Sequence, residues 1–176
     1  MRQSGGPVPP FFLVSHAMQR FTPSLLDRLI DAAPLARSEP LRPALTLQQL
    51  KDTVARDVEA LLNARRGSHR DALADHPLAG ASVVAFGLDD FASMSMSSTL
   101  DRDAICHAIG RAIAAHEPRL RDVTVDLQAR GATPEKLRFA IRATLFVHPL
   151  HEPVNFDAVL QTTTQSYAVQ PDRHPA

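Results

Sequence analysis

The sequence predicts an α+β domain in which N-terminal helices pack on a C-terminal antiparallel β-meander. Three observations predict it. Apolar residues recur at helical spacing in two segments between residues 46 and 116. After Pro118 the period changes from about 3.6 to two. The links between the alternating runs are short and carry Pro and Gly, which suits neighbouring antiparallel strands rather than crossovers.

The elements follow in chain order. Seven of the 14 prolines lie before residue 46, and each fixes φ and removes a backbone donor. Residues 1–21 therefore read as a flexible arm. A short helix fits 23–31, with Thr22 as N-cap, Pro23 at its first position, and an apolar stripe of Leu25, Leu26, Leu29 and Ile30. Residues 32–45 read as a Pro-punctuated connector. From Thr46 the stripe Leu47, Leu50, Val54, Val58, Leu61 and Leu62 predicts an amphipathic helix that ends near Asn63 and Gly67.

Residues 66–80 read as an exposed loop, followed by the apolar patch Val83-Val84-Ala85-Phe86. A second helix starts at Ser98 or Thr99 and runs to about His116, with Leu100, Ile105, Ile109, Ala112 and Ile113 inward. Three strands are expected after it, carried by Val123–Leu127, Leu137–Val147 and Val154–Leu160. The domain is placed at 22–165, with 166–176 as a tail.

Composition excludes several roles. The 176 residues carry 19 Lys+Arg, 19 Asp+Glu and no formal net charge, so the basic excess of a polyanion binder is missing. No nucleic-acid partner is expected. One Cys permits no intrachain disulfide and suits a reducing compartment. No apolar run approaches the roughly 18 residues of a membrane helix, so no direct membrane insertion is expected and the protein is placed in the cytoplasm. No Gly-x-Gly-x-x-Gly, phosphate loop or Gly-x-Ser-x-Gly elbow is present. His148-x-x-His151 lacks a second strong ligand pair, so neither metal nor cofactor is expected.

Paired carboxylates raise the alternative of a peptidoglycan hydrolase, with Glu117, Asp122 and Asp126 close in sequence. Arg119 beside Glu117 favours the ionised carboxylate, the opposite of what a general acid needs. With no Trp and one Tyr, a sugar cleft would also lack stacking platforms. No catalytic residue is expected.

The most informative segment is Glu117-Pro118-Arg119-Leu120. Pro118 pushes Glu117 out of the helical region, and in extended chain residues two apart project together. Glu117 and Arg119 then form a charged pair around a rigid spacer. Arg119 and Arg121 also share strand parity with Val123, Val125 and Leu127, which assigns charged residues to the core face. Either that face ends in a basic rim or these arginines contact something else.

These residues carry a resemblance. Ser24-Leu25-Leu26-Asp27-Arg28-Leu29, then Val54-Ala55-Arg56-Asp57-Val58-Glu59-Ala60-Leu61-Leu62-Asn63-Ala64-Arg65, then Ser82 with Phe86-Gly87-Leu88-Asp89-Asp90, and finally Glu117-Pro118-Arg119-Leu120 occur in that order. Together they resemble the baseplate wedge proteins of contractile phage tails and their type VI secretion counterparts, the TssE family. Ala64, Phe86 and Asp89 stand where the family usually has Thr, Tyr and Pro.

The resemblance implies a structural baseplate subunit that joins the wedge subunits TssF and TssG and helps start assembly of the contractile sheath built from TssB and TssC. TssK is a further candidate partner. It implies a partner contact at Glu117, Pro118, Arg119, Leu120 and Arg121. Arg56, Asp57, Asn63 and Arg65 are secondary interface or scaffold candidates.

Overall fold

The computed structural model describes residues 21–24, 44–67, 75–80, 82–91, 94–95, 98–133 and 135–172. The arm before Phe21, the helix expected beyond Ser24 and most of the connector lie outside them. The chain divides into two compact units, 1–47 and 48–176. In the first, Phe21 and Leu45 form an antiparallel bridge through N–H···O contacts of 2.9 and 2.7 Å.

Helix α1 spans Leu47–Asn63 and buries Leu50, Val54, Ala55, Val58, Leu61 and Leu62. A four-residue helix α2, Pro77–Gly80, and a 3-10 turn, Val83–Ala85, interrupt the loop expected after it. Ser82 caps that turn, and its apolar patch is largely outside: Val83 is 82% exposed and Val84 55%.

Helix α3 spans Thr99–His116. The Ser98 hydroxyl accepts the Asp101 N–H at 3.3 Å, and Asp101 adds a carboxylate to the positive helix end. Ile105, Ile109 and Ile113 form the buried stripe. Leu100, expected among them, is 79% exposed. At about 100° per residue it lies roughly 140° around the helix from Ile105, so it cannot share that stripe.

The sheet runs β1 (Leu120–Thr133), β2 (Lys136–Val147), β3 (Leu150–Gln161) and β4 (Ser166–Pro171), in spatial order β1-β2-β3-β4 with antiparallel neighbours. The α+β class and the meander are therefore as expected, with one strand more. Residues 166–171, expected as the start of a tail, pair with β3, and Tyr167 and Val169 are buried there. Leu137, Phe139, Ile141, Ala143 and Leu145 from β2 join Val154, Phe156 and Ala158 from β3 on the buried face. Each fully buried Leu, Ile or Phe adds about 1.5–3 kcal/mol, so this face is the main source of stability.

The link expected over 148–153 is shorter than it looks. Val147 pairs with Leu150, leaving His148-Pro149 as the turn, joined by a cis peptide bond. Pro153 lies inside β3, opposite Thr144. It is tolerated because β4 pairs only as far as Phe156, so among the described residues no strand faces Pro153 on that side and no donor is called for there.

A candidate partner interface at the helix-to-sheet junction

Helix α3 ends where Pro118 forces it to. Glu117 takes φ −119° and ψ 85°, while its N–H still donates to the Ile113 carbonyl at 2.8 Å. Its side chain turns back onto Arg119. Arg119 Nε reaches Oε1 at 2.7 Å, Nη2 reaches Oε2 at 2.5 Å, and the Arg119 N–H donates to Oε1 at 3.1 Å. The guanidinium also reaches α1, with Nη2 2.6 Å from Asp57 Oδ2. Asp57 Oδ1 in turn accepts from Arg56 Nη2 at 3.2 Å.

One arginine thus joins the end of α3, the start of β1 and the middle of α1. Glu117 is 5% exposed and is the single buried charged residue among the described residues. Its hydrogen bonds, ahead of those from Asp57, hold the Arg119 guanidinium well above its ordinary pKa. The two motifs Arg56-Asp57 and Glu117-Pro118-Arg119 lie about sixty positions apart in sequence and form one network here.

The parity of the arginines has a local cause. Arg121 pairs with Thr144 and Thr124 with Arg142, so three steps on β1 match two on β2. Asp122, at φ 53°, sits in this bulge. One extra residue inverts the alternation. Leu120, opposite Leu145 and 3% exposed, is a core residue, and Arg121 falls on the outer face. There its guanidinium lies 4.0 Å from the centroid of Phe146, whose ring contacts His151 at 4.2 Å between centroids. Of the five expected contact residues, Pro118, Arg119 and Arg121 reach the surface, and Glu117 and Leu120 do not.

Residues 48–150 match the model of the family described as baseplate wedge protein gp25. The chain belongs to that family. The match begins on α1, takes in the whole Asp57–Arg119–Glu117 network and stops at the first residue of β3. No curated protein matches the chain.

The secondary residues of this wedge-family chain have mostly scaffold work. Asn63 Oδ1 accepts the Tyr167 N–H at 2.8 Å, and its Nδ2 donates to the Tyr167 carbonyl at 2.8 Å. Arg65 Nη2 donates to Gln165 Oε1 at 2.7 Å. Glu59, not singled out from sequence, accepts the Val169 N–H at 2.8 Å. Glu152, which stands beside His148-x-x-His151 in the sequence, instead forms a 2.5 Å ion pair with Lys51 that joins α1 to β3. Glu59 and Asn63 are one helical turn apart, which is the signal that could have paired them.

At the β1 edge of the sheet, α3 and β1 flank a groove of about 780 Å³, lined by residues such as Gly110, Val123 and Val125. Burial pushes the Cys106 thiol in its wall up from the ordinary range, with the Leu127 amide acting in the opposite sense. A raised thiol is a poor nucleophile at neutral pH.

Proposed function

We propose that the chain is the TssE-type subunit of a type VI secretion baseplate. It sits in the bacterial cytoplasm, joins the wedge subunits TssF and TssG, with TssK as a further contact, and helps start polymerisation of the TssB/TssC sheath. It acts without catalysis. The observation that carries this reading is the Asp57–Arg119–Glu117 network. Both Glu117 oxygens are taken up by Arg119, so the carboxylate works as a buried positioning group and not as an acid offered to a substrate. The partner contact is made by Arg119, Pro118 and Arg121, with Asp57 and Arg56 beside them and Leu120 as the anchor beneath. The β1 edge adds a partner strand by backbone pairing.

The test counts extended sheaths in the native host with a fluorescent sheath subunit. Deletion of the chain abolishes them. Arg119→Lys keeps the charge but loses the planar fork, and sheaths become rare while the purified variant still unfolds cooperatively. Normal sheath numbers in cells carrying Arg119→Ala would refute the site.

A further inference from the structure

A second concavity lies along one flank of α3, beside its buried stripe. Gly87, at φ +111°, lets the loop after the 3-10 turn close onto the exit of α1: a Cβ there would stand 2.4 Å from the Ala64 carbonyl oxygen. The Leu88 N–H donates to Ala64 and the Arg66 N–H to Leu88, both at 2.9 Å. His116 Nε2 donates to the Ala85 carbonyl at 3.1 Å and bolts the turn to the end of α3. Between these elements is a slot of about 180 Å³, floored by Ala108, Ala112 and Ala115 and lined by Arg66 and Arg111.

Its chemistry is unbalanced. Arg66 Nε is buried and lies 3.5 Å from Asp89 Oδ1, an ion-pair contact that does not close into a hydrogen bond. A buried charged donor whose acceptor stands off at that distance is only partly compensated. Arg111, exposed on α3, has no ion pair or hydrogen bond among the described residues. Two cations thus face one carboxylate. The two short elements that contribute Gly80 and Ala85 to its lining also carry exposed apolar side chains: Leu78 is 88% exposed, Val83 82% and Val84 55%. Exposed apolar side chains on elements that adjoin an under-satisfied basic slot call for a ligand with apolar residues and one acid.

We propose that this slot docks an acidic segment of another baseplate subunit: its carboxylate enters between Arg66 and Arg111, and its apolar side chains cover Leu78, Val83 and Val84. The inference rests on the baseplate reading, but its site is separate from the Arg119 network. The small alanine floor admits the stem of an Asp or Glu side chain, and the arginine fork suits a carboxylate.

The test uses Arg111→Glu in the native host, beside the wild type and the deletion. Arg111 is exposed and unpaired, so the purified variant keeps its melting temperature. Sheath counts fall roughly tenfold, the effect of about 1.4 kcal/mol at one contact. Suppressor selection then returns an acidic-to-basic change in a segment of another baseplate subunit. Wild-type sheath counts for Arg111→Glu, or suppressors confined to this chain, overturn the proposal. If the deletion itself leaves sheaths unchanged, the baseplate reading fails and the slot proposal fails with it.

Discussion

At the β4 edge of the sheet, Asn63 and Glu59 from α1 take up the Tyr167 N–H and carbonyl and the Val169 N–H. At the β1 edge, α3 runs alongside but leaves a groove of about 780 Å³. Both are edges of one four-stranded sheet. Unpaired strand edges invite other chains, and proteins commonly cover the ones they do not use. Here α1 covers one edge with side chains that imitate a strand partner. Along the edge beside the Glu117–Arg119 junction the cover is of another kind: among the described residues α3 lies against β1, with Gly110 facing Val125 and the Cys106 thiol facing the Leu127 amide, and the groove stays between them.

The largest expected effect comes from the junction that ties the β1 edge to α1. Glu117→Ala leaves Arg119 with Asp57 alone. Losing a charge-assisted pair in a mostly buried place costs about 2–3 kcal/mol, read as a lower urea midpoint at unchanged slope. A loss below about 1 kcal/mol would show that Asp57 suffices to hold Arg119.

Asn63→Ala opens the covered edge. Two Tyr167 backbone groups lose their partner, for about 1–3 kcal/mol. Amide exchange at Tyr167 and Val169 speeds up, while that of Val125 on β1 does not. Equal acceleration on both strands would mean the edges are not independently finished.

Tyr167 carries a pH test of the same edge. Burial pushes its hydroxyl up to about 12, against about 10 in the unfolded chain. The unfolded state therefore ionises first. This contribution is whole below about pH 10 and is lost as pH rises toward 12. Tyr167→Phe has no such proton to lose, so its stability falls less steeply over that window in denaturation at stepped pH. The smallest effect is expected at Arg121→Ala, which removes the stack on Phe146 for about 0.5–1 kcal/mol and leaves the covered edge untouched.

The helices and strands β2 and β3 were legible because their apolar residues repeat without interruption: Val54, Val58 and Leu62 on α1, Phe139 through Leu145 on β2. Strand β4 was not, since only Tyr167 and Val169 of its six residues turn inward, too few to establish a period. Leu100 misled because apolarity without angular position does not make a core residue. The arginine parity misled for a related reason: alternation assumes an unbroken ladder, and the bulge at Asp122 breaks it. The site was half legible. Glu117, Arg119, Arg56 and Asp57 all stood out as motifs, but nothing in the spacing joined them.

The α+β class, the helix stop at Pro118 and the pairing of Glu117 with Arg119 follow from local chemistry: apolar period, a missing N–H, and two side chains held two residues apart. They are readable because each depends on neighbours in the chain. The join of Asp57 to Arg119, the burial of Glu117, the cover over β4 and the basic slot between Arg66 and Arg111 depend on segments tens of residues apart. Those were decided by packing, which brings α1 against Arg119, Tyr167 and Val169, and Arg66 and Arg111 to one slot, across long stretches of chain.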